Sequence, residues 1–102
     1  MSGDPSFNET IHAPVRLRIS GLLRGAEKVD FAVLRDTIGI SDATLSKHLK
    51  VLADAGYVRT TKERSAARDD ARRLTWVAQT AEGKAAFDAH VAELRRITGE
   101  GG

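Results

Sequence analysis

The sequence predicts a single, mainly α-helical domain with a small β-hairpin, and three observations carry that expectation. Two short helical patterns flank a three-residue turn that contains Gly39. Two runs rich in β-branched and aromatic residues follow, Tyr57 to Lys62 and Leu74 to Val77, and a last helical pattern closes the chain after Thr80. At 102 residues, with 41% hydrophobic and 29% charged side chains, there is material for one modest core and no second domain. The expected layout over residues 1–102 is a flexible lead-in at 1–7, a folded body at 8–97 and a flexible tail at 98–102. Zero cysteines exclude disulfides, thiolate metal sites and cysteine nucleophiles, so packing alone must hold the fold.

Each element has a local cause. A first helix is expected near Asn8, and Pro14 then sits in the first turn of a second, Ala13 to Arg24, where its missing N–H costs nothing. Val15, Ile19, Leu22 and Leu23 give that helix its apolar face, and Gly25 ends it. Asp30 caps Phe31 to Ile38, in which Phe31, Leu34 and Ile38 fall on one side before Gly39. Ser41 caps the next helix, whose Leu45, Leu49 and Leu52 form one row up to Gly56. Between the two β runs, Glu63 to Arg73 is charged and Ala-rich without an apolar anchor, which reads as a long loop. Thr80 caps the final helix, in which Phe87, Val91, Leu94 and Ile97 make a stripe that Gly99 terminates.

Helix, helix, helix-turn-helix, two-stranded wing and closing helix is the winged helix-turn-helix order. The chain resembles the MarR/ArsR-type winged-helix regulators of bacteria and archaea. The matching segments are HAPVRLRI at His12 to Ile19, ISDATLSKHLKVLADAGYV at Ile40 to Val58 and TAEGKAAF at Thr80 to Phe87, the middle one being the most specific. The resemblance implies a homodimer built on the terminal helices, acting on an inverted-repeat operator in double-stranded DNA, with a small-molecule effector as a further possibility. The sequence departs from the family at the wing tip, Ala66 to Asp70, which lacks glycine. It departs again at Gln79, where relatives place an apolar residue; Gln79 is expected to line a pocket or face solvent.

At about 100° per residue, the face opposite Leu45, Leu49 and Leu52 gathers Ala43, Lys47, Lys50 and Asp54, while His48 lies on the apolar side. That outer face suits a major groove. Ala43 allows close approach or meets a thymine methyl, Lys47 and Lys50 reach phosphates or guanine edges, and Ser41, Thr44 and Ser46 supply hydroxyls. The helix N-terminus adds its positive dipole end, against which Asp42 works slightly, although Asp42 can also read a cytosine amino group. From Tyr57 to Arg73, six basic residues face three acidic ones, more positive charge than the net +2 of the whole chain. Arg68, Arg64 and Arg72 are the wing residues expected to meet DNA, with Arg68 and then Arg64 the candidates for the minor groove.

The stripe Phe87, Val91, Leu94 and Ile97, together with Phe7 and Ile11, exceeds what so small a domain easily buries, which points to a dimer interface. Asp88, His90 and Glu93 resemble part of the Asp-x-His pattern of zinc-sensing ArsR relatives. The second His pair is missing, and His12 could complete a site only if it lay nearby, so no metal and no cofactor is expected. There is no phosphate-cradling glycine loop and no Ser/His/Asp set, and Ser46 and His48 point about 200° apart on their helix, so an enzyme is not expected. The remaining alternative is a winged-helix adaptor that docks an acidic protein. No apolar run approaches the ~18 residues of a membrane span, and Met1 to Thr10 carries Asp4 and Glu9 instead of a signal pattern, giving a cytoplasmic expectation.

Overall fold

The computed structural model describes residues 6–64 and 73–99. In chain order these form α1 (Glu9–His12), α2 (Pro14–Arg24), β1 (Val29–Asp30), α3 (Phe31–Ile38), α4 (Asp42–Asp54), β2 (Val58–Arg64), β3 (Arg73–Gln79) and α5 (Ala81–Thr98). Polar caps start the helices where the sequence places them. Asn8 Oδ1 accepts from the Ile11 amide (3.0 Å), Asp30 Oδ1 from Ala32 (2.7 Å), Ser41 Oγ from Thr44 (3.1 Å) and Thr80 Oγ1 from Gly83 (2.9 Å). Pro14 opens α2, and Gly39 ends α3 at φ 82°, a left-handed conformation that glycine adopts without strain. Residues 1–5, and 100–102 of the expected tail, lie outside the described residues. Thr98 is the last helical residue of α5, and Phe7 of the expected lead-in packs against two histidine rings. No helix among the described residues is long and apolar enough to cross a membrane.

The sheet is larger than a hairpin. Its antiparallel order is β1-β3-β2, with Val29 opposite Val77 and Asp30 opposite Trp76 on one side and seven register pairs, Val58 with Gln79 through Arg64 with Arg73, on the other. β1 escapes sequence reading because two residues display no alternation. β2 and β3 also run further than the apolar pattern suggests, which corrects the loop expected over Glu63 to Arg73: ladder hydrogen bonds belong to the backbone and continue through Glu63 and Arg64 without apolar side chains.

Ile11, Ile19, Leu23, Leu34, Leu45, Leu49, Leu52, Val58 and Val77 form the buried core, so every helix but α5 contributes a fully buried aliphatic residue and the sheet adds two valines. Each such side chain contributes about 1.5–3 kcal/mol relative to exposure. Leu22, expected on the inner face of α2, is instead 41% exposed. Gln79 does not face solvent: it is buried, its Nε2 donates to the Ser20 carbonyl at 3.4 Å, and its Oε1 has no partner among the described residues. An orphaned acceptor of this kind costs about 1–3 kcal/mol, a cost an apolar residue here would not carry.

One joint sets the angle between α4, the sheet and α5. The Tyr57 amide donates to Leu52 O (2.9 Å), Tyr57 O accepts from the Thr80 amide (3.0 Å), and the Thr80 hydroxyl donates to Gly56 O (2.7 Å). Gly83 lies so close that a Cβ there would stand 2.1 Å from Tyr57 O, which explains physically why the Thr-Ala-Glu-Gly start of α5 ends in glycine.

Candidate nucleic-acid interface

The leucine row of α4 faces the core, and its opposite face is open to solvent at Ser41, Asp42, Ala43, Ser46, Lys47 and Lys50, with Thr44 half-buried. Ser41 and Thr44 are tied together at the helix start, the Ser41 hydroxyl donating to Thr44 Oγ1 at 2.9 Å. Asp42 is already partnered: Arg35 of α3 places Nη1 2.8 Å from Asp42 Oδ1 and Nε 2.8 Å from Asp36 Oδ1. The two carboxylates hold the Arg35 guanidinium above its ordinary pKa, and Arg35 holds Asp36 below the usual carboxylate range. The helix start thus carries less free negative charge than its sequence suggests. Lys50 reaches Asp54 at 3.3 Å on an exposed face, an i,i+4 pair worth little against a phosphate, and Lys47 has no carboxylate partner among the described residues.

A groove of about 410 Å³ separates α4 from the sheet and is lined by Ser46, Lys50 and Ala53 on one side and Thr60, Lys62 and Thr75 on the other. Sequence reasoning assigned Thr60, Lys62 and Thr75 no role at the site. The signal was available: counting by two from buried Val58 places Thr60 and Lys62 on one face of β2. Arg64 occupies the last position of β2, opposite Arg73 in the register, whereas Arg68 and Arg72 lie outside the described residues. The other face of the sheet carries Arg59, Thr61 and Trp76. There Lys28, just before β1, reaches Glu63 Oε1 at 3.0 Å and stands 4.7 Å above the Trp76 ring. Glu63 is held below its ordinary pKa by the Lys28 and Thr61 hydrogen bonds.

His48 is half-buried and faces Arg16 of α2, whose Nη1 lies 3.0 Å from its Nδ1 and whose Nε donates to Thr10 O at 2.5 Å. Burial, then Arg16 and Lys47, press its pKa down, so it serves as a neutral acceptor. Arg16 thereby links α1 to α4.

The terminal residues divide. Ile11 is fully buried in the core of its own chain, which corrects its expected place on a dimer surface: α1 folds back onto α2, α4 and α5 and covers it. Phe7 is half-buried, 4.9 Å from the His12 ring and 4.7 Å from the His90 ring. Phe87 packs partly against the core, Val91 and Leu94 are half-covered, and Ile97 is 57% exposed. His90 is buried with both ring nitrogens engaged, Nδ1 accepting from the Asn8 amide at 3.0 Å and Nε2 lying 3.1 Å from His12 Nδ1. Burial, then His12, lowers its pKa while Glu9 opposes them. Asp88 pairs with Arg24 at 2.8 Å and Glu93 with Arg96, so each residue of the zinc-like pattern is committed to a protein partner.

A capped helix with a small, basic outer face, preceded by a glycine turn and followed by a basic antiparallel wing, defines a winged-helix module for double-stranded DNA. The chain belongs to the winged helix DNA-binding domain family, whose model matches residues 15–98. It is 31% identical over 84 residues to an uncharacterized protein of Methanocaldococcus jannaschii, an alignment that covers 82% of this chain and 87% of that one. It is similar to the structure of a transcriptional regulator homologue from Pyrococcus horikoshii OT3, with a TM-score of 0.80 and 24% identity over 90% of this chain and 87% of that one. It is also similar to the transcriptional repressor BigR from Xylella fastidiosa, with a TM-score of 0.64 and 28% identity over 87% and 79% of the two chains. The resemblance to MarR/ArsR-type regulators therefore holds in fold and element order, and family and fold point to a DNA-binding regulator, not to an enzyme.

Proposed function

We propose that two copies of the chain bind an inverted-repeat operator in the cytoplasm, with α4 in the major groove and the wing at the minor groove, and repress transcription. The observation that carries this reading is the continuity of the exposed α4 face with the sheet: Ser46, Lys50, Thr60, Lys62 and Thr75 border one groove beside Lys47, which has no carboxylate partner among the described residues. Hydroxyls and ammonium groups at that spacing meet phosphates and base edges without burying an unpaired charge. The half-covered row Val91 and Leu94, with exposed Ile97, supports pairing through α5, and the likeness to BigR supports repression.

The test is a fluorescence-anisotropy titration against a pool of short duplexes at several salt concentrations, with sedimentation of the complex to count chains per duplex. Log affinity is expected to fall linearly with log salt, and Lys47→Ala/Lys50→Ala to flatten that slope by about two while leaving the fold intact. Failure of the parent protein to bind duplex at low salt would sink the operator reading and favour an acidic protein partner.

A further inference from the structure

We propose that Lys28 is a positioning residue for the wing: it stitches the three strands together on the face turned away from the DNA groove and so holds the hairpin at the angle from which it meets the duplex. The inference rests on the proposed operator reading for its functional part and on the sheet alone for its mechanical part. Lys28 immediately precedes β1, the strand at one edge of the order β1-β3-β2. Its side chain crosses the middle strand, with Nζ 4.7 Å from the Trp76 ring, and ends on the far strand, 3.0 Å from Glu63 Oε1. The other Glu63 oxygen accepts from the Thr61 hydroxyl at 3.2 Å, so the carboxylate is held on both sides.

The place matters because Glu63 and Leu74 are the last register pair before Arg64 and Arg73, the final pair of the β2–β3 ladder, so the tie acts where the ladder ends. Arg64, one of the wing residues expected to meet DNA, follows Glu63 directly in the chain. A cation–π contact and an exposed ion pair are each modest. Here both come from one side chain and bind strands that share no other side-chain cross-link of this kind among the described residues. Lys28, Trp76 and Glu63 line the opposite sheet face from Lys62 and Thr75, so Lys28 has no direct path to a duplex lying in the α4 groove.

Duplex titrations over a salt series with Lys28→Met, Lys28→Arg and Glu63→Gln, paired with amide hydrogen exchange of the free proteins, decide the matter. Lys28→Met and Glu63→Gln are each expected to weaken binding about three- to tenfold with the salt slope unchanged, and Lys28→Arg to restore it, since arginine both pairs with a carboxylate and stacks on a ring. In the same two weakened variants the amides of Glu63 and Leu74 exchange faster while those of Leu45 and Leu49 keep the parent rate. A slope smaller by about one in Lys28→Met, with tighter binding in Glu63→Gln, would make Lys28 a phosphate contact and overturn the proposal. Unchanged exchange at Glu63 and Leu74 would overturn it as well. If the parent fails to bind duplex, the operator reading fails, and the exchange rates alone still decide whether Lys28 holds the wing.

Discussion

The two halves of the proposed DNA-facing surface are built on opposite terms. α4 has one dry face, where Leu45, Leu49 and Leu52 are buried, and one wet face, so its orientation is set by the core and its lysines are carried wherever the leucines dictate. From Arg59 onward β2 is exposed at every described side chain, and it is held by ladder bonds to β3 and by Lys28. A helix anchored by burial is aimed by the hydrophobic effect, whereas a strand segment exposed on both faces is aimed by hydrogen bonds and a few weak side-chain contacts.

The largest break in this contrast comes from Leu49→Asp, which puts an unpaired charge at a 5%-exposed position. The variant is expected to lose its cooperative fold altogether by circular dichroism; a folded Leu49→Asp would mean that α4 is rotated and its basic face misassigned. Next is Gly83→Ala, at the joint where both halves meet, because the added Cβ would stand 2.1 Å from Tyr57 O. Chemical denaturation should show a loss of about 3 kcal/mol or more, and an unperturbed midpoint would mean that α5 sits farther from Tyr57 than described.

The smallest effect is the pH response, and it separates the halves. His48, on the α4 side, and His90, beneath α1, both act as neutral acceptors with pKa values pressed below the ordinary 6.5. Their unfolded forms therefore take up protons first, so their contribution is complete above about pH 6.5 and declines as pH falls toward the folded values. Glu63 of the wing is depressed from an ordinary 4.5, so its contribution persists until the pH drops below that value. Denaturation midpoints at pH 7.5 and 5.5 should fall at the lower pH, and His48→Gln with His90→Gln should flatten the difference. An equal fall in the double variant would place the titrating group elsewhere.

What was legible in the sequence follows the same division. The helices α2 to α5, the caps at Asp30, Ser41 and Thr80 and the turn at Gly39 could be read because an apolar row repeats at helical spacing and a polar residue precedes α3, α4 and α5. Two-residue β1 and the full length of β2 and β3 could not, because two residues show no alternation and backbone pairing continues past the last apolar side chains, whereas the shared face of Val58, Thr60 and Lys62 does follow from alternation. Ile11 was misassigned for a related reason: its apolar character was plain, but four-residue α1 says nothing of which surface it folds onto. The same holds for the meeting of His12 with His90, which are 78 positions apart in the chain.

The sheet's open edge has a consequence for self-association. β2 lies at that edge with its outer backbone groups unpaired in the ladder, and β1 shields only two residues of β3 on the other side. Such an edge is a template onto which a strand from another copy can add, and with it the start of a fibril. Arg59, Lys62 and Glu63 stand along it, and a second copy would have to bring charge against charge to pair there. The charges along β2 are therefore also what keeps one molecule's sheet from being extended by the next.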